Sequence, residues 1–255
     1  MSVIGVIPAR LQSTRLPRKL LLDATGKPLL QYAWEVACDA GSLDSVVIAA
    51  DSEEIVTVAR SFGAEVQLTG QHPSGTDRVA EVARSLGEDC QFVVNIQGDE
   101  PDLNPESIDL LVEAITTSHD TKMATLATPI RDSEVLADPS CVKLVCDNTG
   151  RAMYFSRSPI PFVRDGNLQP GDPDSPWLLH LGVYAYRRDF LLELAVMPPS
   201  RLEQLEKLEQ LRALEAGARL QVGIVDEPSV GIDTRDDYAR FVARQTAADS
   251  DQLVG

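Results

Sequence analysis

Four cationic residues lie close together near the N-terminus of an acidic chain. They are Arg10, Arg15, Arg18 and Lys19, whereas residues 1–22 contain no Asp or Glu and the 255-residue chain carries a formal charge of −16. Guanidinium and ammonium groups bind phosphate oxygens strongly. The segment lacks the glycines of a Walker A or GxGxxG motif. We therefore expect Arg10 and Lys19, together with main-chain amides, to bind a phosphate-bearing ligand.

Two acids follow predicted strands far apart in the sequence. Asp99 closes a strand over 92–96, and Asp233 follows a strand over 220–225. Carboxyl ends of parallel strands meet at one edge of a sheet, where ligands of open α/β folds bind. Carboxylate oxygens suit Mg²⁺, which usually bridges substrate phosphates. Asp99 and Asp233 are thus predicted metal ligands, although Asp233 could instead cap the last helix.

The segment Ser74-Gly75-Thr76-Asp77-Arg78 has the spacing of a helix N-cap. Gly75 and the unpaired amides of a helix start could also contact a polar ligand edge. From these residues alone, helix capping and ligand binding are about equally favoured.

The second half contains candidate groups for an anionic partner. Arg157 follows a predicted strand over 152–155, and a guanidinium there can bind a carboxylate through two hydrogen bonds. His180 and Tyr184 are four residues apart on another strand, so their side chains share a face. Such a His and Tyr are more often core or surface residues than ligand contacts.

Six separated segments together resemble the 3-deoxy-manno-octulosonate (Kdo) cytidylyltransferases, also called CMP-Kdo synthetases. They include the cationic loop, Ser74–Arg78, Gln97-Gly98-Asp99-Glu100-Pro101, the Arg157 and His180 segments and Leu208–Arg212. The family transfers CMP from CTP to the sugar acid Kdo for lipopolysaccharide. Its known members imply magnesium as cofactor and a homodimer formed through an inserted lobe.

The resemblance implies a role for each candidate residue. Arg10, Lys19, Asp99 and Asp233 are expected to be catalytic. Contacts to CTP are expected from Arg10, Ser13, Lys19, Ser74, Gly75, Arg78 and Gln97. Contacts to Kdo are expected from Arg15, Gln97, Arg157, His180, Tyr184, Glu209 and Gln210. Arg18 stands where glycine is common in the family, and we expect it to add only a surface charge.

The elements that must position these residues alternate between β-rich runs and helices. This pattern predicts an α/β fold: a mostly parallel sheet with helices on both faces, Rossmann-like, plus a smaller inserted lobe. We expect one domain over 1–247, in which 1–128 mainly binds CTP, 129–180 forms the lobe and 181–247 completes the sheet. A mobile loop over 159–176, one helix from 200 to 216 and a disordered tail at 248–255 are also predicted.

Composition excludes several other classes of protein. The charge of −16 would repel nucleic acid. Four cysteines without a CxxC pair or a histidine cluster argue against a zinc site and indicate reduced thiols. No apolar run is long enough to span a bilayer. The N-terminal segment reads as a strand rather than a leader, so we expect a cytoplasmic protein.

Three other functions remain open at this point. The enzyme could activate a related sugar acid, such as 8-amino-Kdo or a sialic-like acid. The chain could be a regulatory protein that binds CTP without turnover. It could also be a glycosyltransferase that uses a nucleotide sugar, although such enzymes do not need a triphosphate clamp.

Overall fold

The computed structural model describes residues 2–229 and 231–252, with the side chains of 248–252 left out. The chain divides into two compact units. The first unit comprises Ser2–Gly87, Asn95–Glu106 and the described residues from Ser229 onward; the second comprises Glu88–Val94 and Ser107–Pro228. The single domain over 1–247 stays a prediction.

Strands and helices alternate through most of the chain. The strands are β1 (Ser2–Ala9), β2 (Ser45–Ala50), β3 (Glu65–Leu68), β4 (Cys90–Asn95), β5 (Thr121–Pro129), β6 (Lys143–Cys146), β7 (Ala152–Ser156), β8 (Leu178–Arg187) and β9 (Arg219–Ile224). The helices are α1 (Leu29–Asp39), α2 (Glu53–Ser61), α3 (Gly75–Ser85), α4 (Pro105–Thr116), α5 (Ser133–Ala137), α6 (Arg188–Leu194), α7 (Arg201–Glu206), α8 (Gln210–Glu215) and α9 (Arg235–Gln252).

In the first unit, β3, β2 and β1 are neighbouring parallel strands in that order. β1 is buried over most of its length because its apolar residues face the core on both sides of the sheet. The predicted cap at Ser74 is confirmed, because its hydroxyl accepts a hydrogen bond from a main-chain amide at the start of α3. The Ser52 and Thr234 hydroxyls accept in the same way at the starts of α2 and α9. Each cap satisfies an amide that the helix itself leaves unpaired.

In the second unit the strand order is β4, β8, β5 and β9. β5 pairs antiparallel with β8 and parallel with β9, and the β6–β7 hairpin is joined to β8 through β6. The strand predicted over 152–155 is confirmed as β7, which pairs antiparallel with β6. The sheet is therefore mixed, with mostly parallel strands in the first unit and an antiparallel strand, β8, in the second.

The predicted single helix over 200–216 is wrong. The chain forms α7 and α8, separated at Lys207, whose φ of 56° lies in the left-handed region. Its amide donates to the Glu203 carbonyl, as in many helix C-terminal turns. Leucine at every third position fits two short packed helices as well as one long helix, so the pattern did not reveal the break.

The other differences concern short or terminal elements. α5 and α6 were not predicted, and α9 continues to Gln252 through part of the predicted disordered tail; 253–255 lie outside the described residues. The loop over 159–176 is anchored through Trp177, whose indole donates to the Pro161 carbonyl (3.1 Å). Its mobility stays a prediction. Within the described ranges, no helix is long and apolar enough to cross a membrane.

Candidate active site

A lysine amine joins the two predicted metal ligands in the first unit. Lys19 Nζ lies 2.5 Å from Asp99 Oδ2 and 3.0 Å from Asp233 Oδ1. Only 8% of the Lys19 side chain is exposed, whereas the two carboxylates are 29% and 44% exposed. Because both acids contact one ammonium, their predicted convergence is confirmed.

Main-chain contacts and a small core hold this cluster together. The Ile232 amide donates to the Asp99 carbonyl oxygen at 2.9 Å, which ties the segment carrying Asp233 to the segment carrying Asp99 within the first unit. Ile232 also packs in a buried cluster with Leu16, Leu29 and Phe241. Leu16 belongs to the cationic loop, so the same apolar cluster anchors the loop and the C-terminal acid.

Gly98, which directly precedes Asp99, packs closely against β1 and α1. Its φ is not positive, so its backbone conformation does not require glycine. A Cβ added there would lie 3.2 Å from Ile7 Cγ2 and 3.4 Å from Leu30 Cδ1. A side chain at this position would therefore crowd the packing that supports Asp99.

Asp233 does not cap the last helix. Thr234 provides the hydroxyl that caps α9, with the Asp237 amide as donor. Asp233 instead accepts contacts from Lys19 and from Arg15 Nη2, the latter at 2.9 Å. Arg15, predicted to contact the sugar acid, thus lies at this carboxylate, where its side chain is 66% exposed.

Glu100 is a third acid near this cluster that sequence reasoning missed. Burial raises its pKa to about 7, with further increases from the nearby charges of Asp99 and Asp233. A hydrogen bond donated by Ser229 Oγ opposes that increase in pKa. Its position beside Asp99 in the Gln-Gly-Asp-Glu-Pro segment was the available signal.

Arg18 carries an exposed charge, as predicted, and it pairs with Glu54. Its φ of 58° lies in the left-handed region that glycine adopts most easily. This backbone conformation explains why glycine would fit the position. Among the ion pairs of the described residues, Arg18 pairs with Glu54 and not with Asp99 or Asp233.

Arg78 is buried rather than extended toward solvent. Its side chain is 2% exposed, and Nη1 donates to the Thr69 hydroxyl and to the Gly70 carbonyl (3.2 Å). Burial lowers the pKa of this guanidinium, the Asp51 carboxylate at 4.0 Å opposes that decrease, and the charge of Arg10 adds to it. Nε of Arg78 is buried without a hydrogen-bond partner among the described residues. The guanidinium therefore fixes the segment 69–70 through these hydrogen bonds and retains an unused donor at Nε.

The segment that precedes α3 is held by its own polar contacts. Ser74 Oγ accepts the Asp77 amide and donates to Asp77 Oδ2 at 2.8 Å. His72 contacts Glu81, and this hydrogen bond is the main reason that the pKa of Glu81 is lowered. Gly75 lies beside Pro8, where an added Cβ would be in ordinary contact. The chain's own packing thus does not require glycine at position 75.

Three further residues of the first unit that are predicted to contact CTP are partly exposed to solvent. Arg10 and Ser13 are half-buried in the loop after β1, and Gln97 is half-buried between β4 and α4. The loop is tied to β2 because the Leu11 amide donates to Asp51 Oδ1 at 2.9 Å.

In the second unit, the guanidinium of Arg157 already binds main-chain oxygens. Nε donates to the Glu206 carbonyl (2.7 Å), Nη1 to the Pro139 carbonyl (2.8 Å) and Nη2 to the Lys207 carbonyl (3.4 Å). Glu206, which sequence reasoning missed, accepts from the Ser156 hydroxyl and from the Arg157 amide. Arg157 and Glu206 thus tie the end of β7 to the break between α7 and α8.

His180 and Tyr184 do lie side by side, with ring centroids 5.4 Å apart. His180 also packs edge-on against Phe155 and lies 3.1 Å from the Thr125 hydroxyl through Nε2. Burial lowers the pKa of His180 to about 3, so its imidazole is neutral near pH 7. Burial also raises the pKa of Tyr184, with a smaller contribution from the charge of Glu209.

Gln210 begins α8 and is 4% exposed. Its Nε2 is buried and has no hydrogen-bond partner within the described ranges. Glu209 stands at the N-cap position of the same helix. The structure therefore places His180 beside Tyr184, and it leaves a buried amide donor available at Gln210.

The donor set fits a magnesium ion better than a softer metal. Among the described residues, no group of three or more His, Cys, Asp or Glu side chains is arranged to hold a metal ion. Asp99 and Asp233 supply hard oxygen ligands that remain partly exposed. Mg²⁺ commonly takes only one or two protein carboxylates, with water and phosphates as its other ligands.

Comparison with known proteins identifies the family of this chain. The family model described as cytidylyltransferase matches residues 4–221. The chain is 45% identical over 248 residues to a 3-deoxy-manno-octulosonate cytidylyltransferase of Rhodopirellula baltica, covering 96% of this chain and 98% of that one. It is 48% identical over 245 residues to the protein of the same name in Syntrophobacter fumaroxidans, covering 95% and 96%.

A solved structure matches equally completely. It is CMP:2-keto-3-deoxy-manno-octonic acid synthetase complexed with CTP, with a TM-score of 0.90, 35% identity, and coverage of 97% of this chain and 100% of that one. The predicted fold class and the resemblance seen in the sequence are both confirmed. The chain belongs to the cytidylyltransferase family, among its 3-deoxy-manno-octulosonate cytidylyltransferases.

Proposed function

We propose that this chain transfers CMP from CTP to Kdo and releases pyrophosphate. The transfer of CMP activates the sugar acid for lipopolysaccharide biosynthesis. The observation that carries the proposal is the Lys19 ammonium held between Asp99 and Asp233. Buried cations beside paired carboxylates suit a triphosphate with a divalent metal.

In this mechanism the first unit holds CTP. Arg10 and Lys19 bind the triphosphate, and Ser13 assists from the same loop. Ser74, Gly75 and Arg78 lie at the start of α3, where a pyrimidine edge can meet main-chain amides. Arg78 Nε offers a buried donor that the rest of the described chain does not use.

Asp99 and Asp233 would hold Mg²⁺ in this site. The bound ion would supply positive charge to the phosphate oxygens. Lys19 contributes a fixed charge to the same carboxylates and so keeps them close together before substrate arrives. The partial exposure of both acids leaves room for phosphate oxygens.

The second unit holds the sugar acid. His180, Tyr184, Glu209 and Gln210 supply polar groups for its hydroxyls, and Arg157 fixes the segment that carries the last two. The anomeric hydroxyl oxygen of Kdo attacks the α-phosphorus, and its proton passes to solvent water. A bond between that oxygen and the α-phosphorus forms as the bond between the α-phosphorus and the departing pyrophosphate breaks, and the fixed cations offset the developing charge.

We also infer a homodimer formed through the lobe over 129–180. Two large apolar side chains of this segment are exposed, Met153 at 64% and Phe162 at 87%. Analytical ultracentrifugation of the wild-type chain and of Met153→Glu tests this inference. A monomer at micromolar concentration would contradict it.

A substrate panel tests the proposed function against its alternatives. CTP, UTP and ATP are each combined with Kdo, 8-amino-Kdo and sialic acid, and the products are identified by mass. We expect CMP-Kdo as the main product. A CMP ester of another acid would shift the substrate assignment, whereas CTP binding without any product would support a regulatory protein. Tighter binding of a nucleotide sugar than of CTP would favour a glycosyltransferase.

A further inference from the structure

The imidazole of His180 is held by a residue that has no role in the mechanism above. Thr125 is fully buried on β5, and its Oγ1 lies 3.1 Å from His180 Nε2. Which of the two atoms donates in this contact depends on which ring nitrogen of His180 carries the proton.

The Thr125 hydroxyl has a single proton and two carbonyl neighbours. Oγ1 lies 2.8 Å from the Val183 carbonyl oxygen and 3.1 Å from the Leu181 carbonyl oxygen. Both neighbours can only accept, and the Val183 carbonyl oxygen is the nearest of the three atoms around Oγ1, so we assign the hydroxyl proton to that carbonyl. The pairing of β5 with β8 shifts register between Thr125 and Leu126, which disrupts the hydrogen-bond ladder locally at this point.

With the hydroxyl proton on the Val183 carbonyl, the contact between Oγ1 and His180 Nε2 is donated by the histidine. A neutral imidazole has one N–H, and donation to Thr125 places it on Nε2. Nδ1 then carries a lone pair and acts as an acceptor. Among the described residues, none donates a hydrogen bond to Nδ1. Burial, which lowers the pKa of His180 to about 3, keeps this neutral form dominant.

We propose that Thr125 is a positioning residue that fixes His180 as the Nε2–H tautomer, so that Nδ1 accepts a hydrogen bond from a hydroxyl of the sugar acid. The role of the substrate in this proposal depends on the proposed function. A carboxylate has no proton to donate to Nδ1, so His180 selects a hydroxyl at this point and the acid group must bind elsewhere. Thr125 thereby contributes to the orientation of the sugar acid.

Nitrogen-15 NMR of the labelled wild-type protein tests the tautomer without any turnover. The chain has three histidines, and His180→Gln identifies the signals of His180 by their loss. Two-bond correlations to the ring protons distinguish the two tautomers. We expect Nε2–H; an Nδ1–H tautomer or an equal mixture would overturn the proposal. Addition of Kdo should shift the Nδ1 signal, and no shift at saturating Kdo would overturn the contact with substrate.

Two substitutions test the part played by Thr125. Thr125→Val keeps the shape but removes the hydroxyl, whereas Thr125→Ser keeps the hydroxyl. We expect the Thr125→Val variant to lose the single-tautomer spectrum and to have a KM for Kdo raised about tenfold, with its KM for CTP changed less than about threefold. The Thr125→Ser variant should keep the wild-type spectrum and the wild-type KM for Kdo.

A Val variant with unchanged tautomer and unchanged KM for Kdo would contradict the proposal. If the Val variant does not fold, the wild-type spectrum and the Ser variant still decide the question. Failure to form CMP-Kdo would overturn the proposed function but would leave the tautomer result intact, so the two failures can be distinguished.

Discussion

The main-chain amide of Ile232 donates to the carbonyl oxygen of Asp99 at 2.9 Å. This bond joins the segment that carries Asp99 to the segment that precedes α9, although the two residues are far apart in sequence. It brings Asp233 beside Asp99, where the Lys19 ammonium contacts both carboxylates. The geometry of the acid pair therefore depends on the backbone as well as on charge.

Replacing Lys19 by alanine should severely reduce turnover. The change removes a buried cation from the triphosphate site and leaves two neighbouring carboxylates without it. By analogy with the loss of one preorganised donor, we expect a loss of about 2 to 4 kcal/mol of transition-state stabilisation, measured from the decrease in kcat/KM. Arg18→Ala is the matched control, because its charge is exposed and paired with Glu54. Near wild-type pyrophosphate release by Lys19→Ala would refute the assigned role.

Asp99→Asn and Asp233→Asn should weaken the response to magnesium. Each change removes one anionic oxygen ligand, so the Mg²⁺ concentration at half-maximal rate should rise at least about tenfold, or about 1.4 kcal/mol. EDTA should abolish wild-type turnover. Asp102→Asn is the control, since Asp102 pairs with Arg244. Identical magnesium titrations for all three variants would contradict metal binding by this pair.

Gly98→Ala should destabilise the first unit. Its Cβ would lie 3.2 Å from Ile7 Cγ2, and overpacking of this kind costs about 1 to 3 kcal/mol. At Gly182 an added Cβ meets no atom within 4 Å, so Gly182→Ala is a control for the loss of a glycine. Urea denaturation compares the two variants. Equal unfolding free energies would show that the packing at Gly98 can relax.

His180 should make stability depend on pH below neutrality. Its folded pKa of about 3 lies below the unfolded value of about 6.5, so the unfolded chain binds a proton that the folded chain does not. The contribution is fully present above pH 6.5 and decreases as the pH falls toward 3, by up to about 1.4 kcal/mol per pH unit. His180→Gln should show a shallower slope between pH 6.5 and 4. Equal slopes for the wild-type chain and His180→Gln would mean that His180 binds its proton in the folded chain over the same pH range as in the unfolded chain.

Arg157→Lys should separate structural from substrate roles of the guanidinium. One ammonium cannot replace donations to the Glu206, Pro139 and Lys207 carbonyls, so we expect a loss of about 1 to 3 kcal/mol in unfolding free energy. Arg131→Lys is the control, because Arg131 donates to a single carbonyl in an exposed setting. A stable Arg157→Lys variant with a raised KM for Kdo would instead favour direct carboxylate binding.

Most of the fold could be predicted from the sequence because its signals are local. Ser52, Ser74 and Thr234 cap helices through residues three positions away, and apolar runs such as β1 mark buried strands. The break at Lys207 could not be predicted, since neither its residue type nor the leucine spacing favours a left-handed conformation. In the site, the strand-end rule placed Asp99 with Asp233. The contacts of Glu206 and Thr125 depend on tertiary pairing, which no short motif encodes.

The most direct test of the central claim is pyrophosphate release by the wild-type chain with CTP, Kdo and Mg²⁺ present together and with each omitted in turn. The account predicts one pyrophosphate for each CMP-Kdo formed, and no release when any of the three is absent. Pyrophosphate release without Kdo, or CTP binding without release in the complete mixture, would contradict it.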